Sequence, residues 1–193
     1  MSDAALGLQV DYPKGNMREY LDKNIYTRLL LCSAEASAEY FRMSLSHLFS
    51  GANIQEGHSE SLSHDPEVLT IAFAPVKGLE RTLVKFDEYA SEAGANHWPV
   101  TPKIRDTLRA KLTARDGASF AKATETIMSA FDVREGNGRF KNNLLAEKHQ
   151  PPNVLMNLVL RPPGQPAITA EVQIYLFEIE TMIEHRYYEV RCL

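Results

Sequence analysis

Residues 168–192, ITAEVQIYLFEIETMIEHRYYEVRC, change period partway along. Ile168, Ala170, Val172 and Ile174 alternate with Thr169, Glu171, Gln173 and Tyr175, the period of two expected of a strand with one packed face. Glu171 and Gln173 therefore project side by side from the opposite face. Leu176, Ile179, Ile183, Tyr187 and Val190 then follow at spacings of three and four, which predicts a helix carrying Glu184 and His185. A strand that presents Glu-x-Gln and runs into such a helix can hold charge in a cleft, given partners upstream.

Immediately upstream, Arg161-Pro162-Pro163-Gly164 predicts a turn, and Asn153 to Leu160 (NVLMNLVL) is nearly continuous apolar sequence, as in a strand covered on both faces. Val133 to Asn143 is a glycine-bracketed basic stretch, and Ala118 to Phe131 an alanine-rich helix after the Asp116-Gly117 turn. Leu108, Ala110, Leu112 and Ala114 alternate with Arg109, Lys111, Thr113 and Arg115, a half-buried strand with a basic outer face. Asp106 stands just before it; on strict alternation it would lie on the Leu108 face, opposite the arginines, unless the strand begins after it.

Val68 to Ala74 predicts a short strand ended by Pro75, and Val76 to Ala90 a helix. On that helix Lys77, Arg81 and Lys85 fall on one face, and Leu79, Leu83 and Phe86 on another. By pattern alone the cations form a solvated face eased by Glu80 and Glu88; the functional alternative is a ladder aimed at a polyphosphate. Gln55 to Pro66 predicts an exposed loop whose His58 and His64 are ordinary solvated histidines. From Ile25 to Phe49 a long helix is expected, with Ile25, Leu29, Cys32, Ala36, Tyr40 and Met43 as its apolar stripe.

The chain has 193 residues and a net charge of −4, which argues against coating nucleic acid by bulk attraction but leaves room for a local basic groove. Two cysteines suggest neither a disulfide framework nor a zinc site, and no stretch reaches membrane-spanning length. A reducing, cytoplasmic setting is the expectation. The element order predicts an α/β (α+β) protein: a mixed sheet of about five strands flanked by helices over residues 67–193, preceded over residues 1–66 by a helical extension and loop.

From Val76 to Arg191 the chain distantly resembles the synthetase domain of the RelA/SpoT family, makers of guanosine tetra- and pentaphosphate, and so implies a nucleotidyltransferase-like fold. The resemblance rests on Lys77-x3-Arg81-x3-Lys85, similar to the family's ATP-phosphate helix, and on Asp106 at a strand entry, similar to its magnesium aspartate. It rests also on Arg139-Phe140-Lys141-Asn142, similar to the lead-in to the acceptor loop, and on Glu171-Val172-Gln173-Ile174 followed by Glu184-His185. It implies Mg²⁺-dependent transfer of pyrophosphate from ATP to the 3′-hydroxyl of a nucleotide or RNA end.

In that reading Lys77, Arg81 and Lys85 neutralise the triphosphate, and Arg109, Lys111, Arg139 and Lys141 are further nucleotide-binding cations. Asp106 and Glu171 hold Mg²⁺, Glu171 also polarises the attacking hydroxyl, Gln173 orients its neighbours, and His185 supports the site. Expected partners are nucleotides, with tRNA as a further acceptor class and the N-terminal helices as a route to a homo-oligomer; no membrane is expected. Three departures stand out. The family's Gly-Tyr before the central strand is replaced by Pro152-Asn153-Val154, its Asp-x4-Arg by Asp106-x4-Lys111, and the Arg-Thr after Glu-x-Gln-Ile by Tyr175-Leu176. The alternative is therefore a catalytically inactive relative that binds a nucleotide or a protein.

Overall fold

A computed structural model of the chain describes residues 17–56, 68–93, 99–133, 140–144 and 152–179. His58, His64, Arg139, Glu184 and His185 lie outside the described residues. Two compact units make up the chain, Met1–Leu30 with Leu79–Ile104, and Leu31–Gly78 with Arg105–Leu193.

The first unit contains helix α1 (Met17–Leu21), a π-helical turn (Asp22–Tyr26), the start of helix α2 (Thr27–Leu48), helix α3 (Leu79–Ala93) and a 3₁₀ turn (Thr101–Lys103). Phe86, Val100 and Ile104 form its core, with Leu30, Tyr89 and Ala90 against them. Asp22 is buried, and its carboxylate accepts from the backbone N–H groups of Val100 and Thr101. It thus satisfies the open donors at the start of the 3₁₀ turn.

The second unit is built on a seven-stranded mixed sheet: β1 (Asn53–Glu56), β2 (Leu69–Phe73), β3 (Leu108–Ala114), β4 (Asp132–Val133), β5 (Phe140–Asn142), β6 (Val154–Leu160) and β7 (Ile168–Leu176). Their order is β1-β2-β3-β7-β6-β4, with β5 also on β6. The β1–β2 and β3–β7 pairs are parallel and the others antiparallel. β1 reaches into sequence expected to be loop; it is a four-residue edge strand in which Ile54 is the single apolar residue, too short to show a period of two. The β6–β7 turn is the expected one: Gln165 N–H donates to Pro162 O at 3.2 Å, and Gly164 takes φ +71°. That is a type II turn, with Pro163 at its second position and the positive φ where only glycine sits without strain.

One sheet face is dry. Leu112, Ala170, Val172, Ile174 and Leu158 are fully or almost fully buried, and helix α4 (Gly117–Ala130) packs on β3 and β7 through Phe120, Ala123 and Ile127. Asp116 starts α4, accepting from Ser119 N–H at 2.7 Å; this hydrogen bond holds its carboxyl below the ordinary range. α2 meets the same face, where Phe41 lies edge-on to Phe73 with centroids 5.8 Å apart.

The buried stripe of α2 corrects the expectation. Leu31, Ala34, Phe41 and Leu45 are buried, whereas Ile25, Leu29, Cys32, Tyr40 and Met43 are exposed, Met43 by 63%. The helix is apolar on two sides, and periodicity cannot say which one meets the sheet. Among the described residues no helix is long and apolar enough to cross a membrane.

Candidate functional site

Side chains alternate along every strand, and the register of the second unit carries that alternation across the sheet. On the face opposite α4, Arg109 of β3 lies beside Glu171 of β7, which lies beside Asn157 of β6. In the next row stand Lys111, Gln173, Leu155 and Lys141 of β5. The polar half of the β7 alternation, set beside the basic half of the β3 alternation, thus assembles one charged surface.

Lys77 and Asp106 join this surface from two loops. β3 starts at Leu108, so Asp106 precedes the strand and escapes the alternation that would have turned it to the dry face. Lys77 is not helical, which corrects the expected Lys77-Arg81-Lys85 ladder: α3 begins at Leu79. Ala74 N–H donates to Arg109 O and Lys77 N–H to Thr107 O, both at 3.1 Å. Pro75 between them holds the chain extended, so the backbone follows the entry of β3 rather than turning into the helix. Lys77, buried to 8% exposure, pairs through Nζ with Asp106 Oδ2.

Glu171 is the titrating centre. Burial pushes its carboxyl above the ordinary value, and the charge of Asp106 adds to that. A hydrogen bond from Gln173 Nε2 at 2.7 Å, with the charges of Lys77 and Arg109, acts in the other direction. Glu171 therefore feels the charge of Asp106 and of both cations.

Three buried polar atoms here have no hydrogen-bond partner: Asp106 Oδ1, Arg109 Nε and Asn157 Nδ2. Buried polar groups are normally satisfied, and three orphans on one face are what a surface awaiting a charged ligand leaves open. Asp106 and Glu171 offer hard oxygen donors suited to Mg²⁺, which takes one or two carboxylates and completes its shell with water and substrate phosphates. Among the described residues no group of three or more metal-ligating side chains occurs, so water and substrate phosphates would complete the shell of an ion held by this pair.

The second unit therefore brings together Lys77, Asp106, Arg109, Lys111, Lys141, Glu171 and Gln173. Arg81 and Lys85 belong to α3 of the first unit, where Arg81 is exposed and Lys85 lies 5.0 Å from the Tyr89 ring centroid and 3.4 Å from Glu88. Arg139 and His185 lie outside the described residues. Asn157 was hidden in the sequence by its apolar surroundings; the one available signal was a carboxamide inside a run otherwise fit for a central strand. A second feature also had no local signal. Tyr175 Oη donates to Gln173 Oε1 at 2.5 Å and accepts from Asn153 Nδ2 at 2.9 Å, and Asn143 Nδ2 donates to Asn153 Oδ1 at 2.8 Å.

The chain matches no protein-family model and no curated protein. Solved structures do resemble it. The small alarmone synthetase 1 from Bacillus subtilis bound to its product pppGpp aligns with a TM-score of 0.56 at 14% identity, over 85% of this chain and 81% of that one. Another structure of small alarmone synthetase 1 from Bacillus subtilis aligns at 0.53 and 12% identity, over 86% and 80%. A GTP pyrophosphokinase family protein from Streptococcus pneumoniae aligns at 0.52 and 14% identity, over 85% and 77%. The chain thus has the fold of the small alarmone synthetases, as the resemblance to the RelA/SpoT synthetase domain implied.

Proposed function

We propose that the protein is a Mg²⁺-dependent nucleotide pyrophosphokinase that transfers the β,γ-pyrophosphate of ATP to the 3′-hydroxyl of a nucleotide or an RNA end. The observation that carries this reading is the Asp106–Glu171 pair set among Lys77 and Arg109, with three buried polar atoms left unpartnered. The acceptor oxygen attacks the β-phosphorus, the α–β bridge breaks, and AMP leaves. Little covalent work falls to the protein in such a transfer, so positioning and charge carry the rate.

Lys77 and Arg109 would neutralise phosphate oxygens, Arg109 through a guanidinium fork that matches them. Glu171, whose proton affinity is raised by burial, is suited to take the proton of the attacking hydroxyl. Asp106 and Glu171 would hold the Mg²⁺, which when bound supplies neutralisation of the polyphosphate. Lys111 and Lys141, one row along, extend the basic surface toward the acceptor.

The test is product analysis. Folded protein with ATP, Mg²⁺ and a panel of GDP, GTP, ADP, ATP and deacylated tRNA is expected to form AMP together with a 3′-pyrophosphorylated acceptor. Absence of AMP with every acceptor contradicts the proposal. A second reading, an inactive nucleotide-binding or protein-binding module, is favoured by one observation: Asn153 and Tyr175, both departures from the family pattern, are bonded to each other. Nucleotide binding without AMP formation would select it.

A further inference from the structure

The hydrogen bonds around Gln173 have a direction, and Glu171 sets it. Gln173 Nε2 donates to Glu171 Oε1 at 2.7 Å, so the amide turns its NH₂ toward Glu171 and its Oε1 away. Oε1 then needs a donor, which Tyr175 Oη supplies. Having donated its proton, that hydroxyl accepts from Asn153 Nδ2, which leaves Asn153 Oδ1 to accept from Asn143 Nδ2.

Asn143, Asn153 and Tyr175 continue the same face of the sheet, two residues beyond the Lys111–Gln173–Leu155–Lys141 row. Asn153 and Tyr175 are buried, while Asn143 is half-buried just after β5, and its backbone N–H donates to Asn153 O at 2.8 Å. A flip of any one amide would set acceptor against acceptor, so the four bonds form together.

We propose that Tyr175 and Asn153 are positioning residues that aim Gln173 at Glu171 and tie that aim to Asn143 at the end of β5. Neither touches the reacting atoms. The consequence for metal and substrate rests on the pyrophosphokinase reading; the positioning itself does not. The relay makes the orientation of the site's central carboxylate depend on where Asn143 sits. A ligand that displaces Asn143 would therefore release Gln173, and one that holds it would lock Glu171 in place.

The test follows the Gln173 side-chain amide by ¹H–¹⁵N NMR in full-length wild type, Tyr175→Phe and Asn143→Ala, with Mg²⁺ alone as the binding probe. In wild type its two amide protons should be well separated and slow to exchange. Tyr175→Phe keeps the ring and should collapse them toward the values of a free glutamine, with Mg²⁺ affinity about tenfold weaker, as for loss of an outer partner of a metal ligand. Gln173 signals unchanged in Tyr175→Phe would overturn the relay. Should that variant not fold, Asn143→Ala decides: a smaller shift in the same direction supports the relay, and none overturns it. If the Gln173 signals respond as expected but wild type binds no Mg²⁺, the relay stands and the metal reading falls.

Discussion

Strand β7 has two faces that obey opposite rules. Ala170, Val172 and Ile174 are fully buried against α4 and hold no polar atom, so nothing there waits for a partner. Interleaved with them along the same backbone, Glu171, Gln173 and Tyr175 form a polar chain on a face where three buried polar atoms have no partner. The first face specifies the fold through close packing, while the second carries unmet electrostatic demand. Stability and function are therefore separable by single substitutions on one strand, and natural proteins do accept such local cost at functional sites.

The sharpest separation should come from Glu171→Gln. If the polar face is catalytic, AMP formation falls by about 10²–10³-fold, the scale for losing one charged transition-state contact. Folding should survive, because the variant removes a buried charge rather than a packed group. Ile174→Ala should do the reverse. Its cavity on the dry face should cost about 2–5 kcal/mol in urea denaturation, with the Gln173 hydrogen bonds retained. A variant that lost both properties together would break the comparison.

Lys77→Ala tests the edge of the polar face. It leaves the half-buried Asp106 without its ion-pair partner, and should cost about 2–3 kcal/mol, below the range for a fully buried pair because Asp106 keeps some solvent. Asn157→Leu sharpens the contrast from the other side. Replacing an amide whose buried Nδ2 has no partner by an isosteric apolar group should stabilise the protein by about 1 kcal/mol while weakening nucleotide binding.

The smallest effect concerns pH. The folded-state value of Glu171 lies above its unfolded value, so the folded protein binds the proton more tightly. In Mg²⁺-free buffer its contribution to stability is most favourable below the ordinary carboxylate value and declines as pH rises through the folded-state value. Glu171→Gln should abolish that decline, giving a melting temperature at neutral pH higher by about 2–4 °C for each kcal/mol released. An unaltered pH profile of melting temperature would show that burial does not perturb this carboxyl.

Much of the second unit could be read from sequence because its signals are local. Leu108 to Ala114 and Ile168 to Ile174 alternate cleanly, and Pro163-Gly164 admits few turn types. What escaped depends on distant partners. Asp22 is an ordinary helix-region acid until Val100 and Thr101, remote in sequence, bring their N–H groups to it. Lys77 looked helical because it sits four residues before Arg81; the bond from its N–H to Thr107 O excludes that. The Asn153–Tyr175 bond joins two positions that the sequence offered only as separate departures from a pattern.

The most direct measurement is calorimetric titration of a non-hydrolysable ATP analogue with Mg²⁺ into wild type, Lys77→Ala and Glu171→Gln, with Arg161→Ala as control; Arg161 is an exposed residue paired with Asp132. The account predicts saturable, Mg²⁺-dependent binding by wild type and control, at least tenfold weaker in the two site variants. Equal binding by all four, or binding indifferent to Mg²⁺, would contradict it.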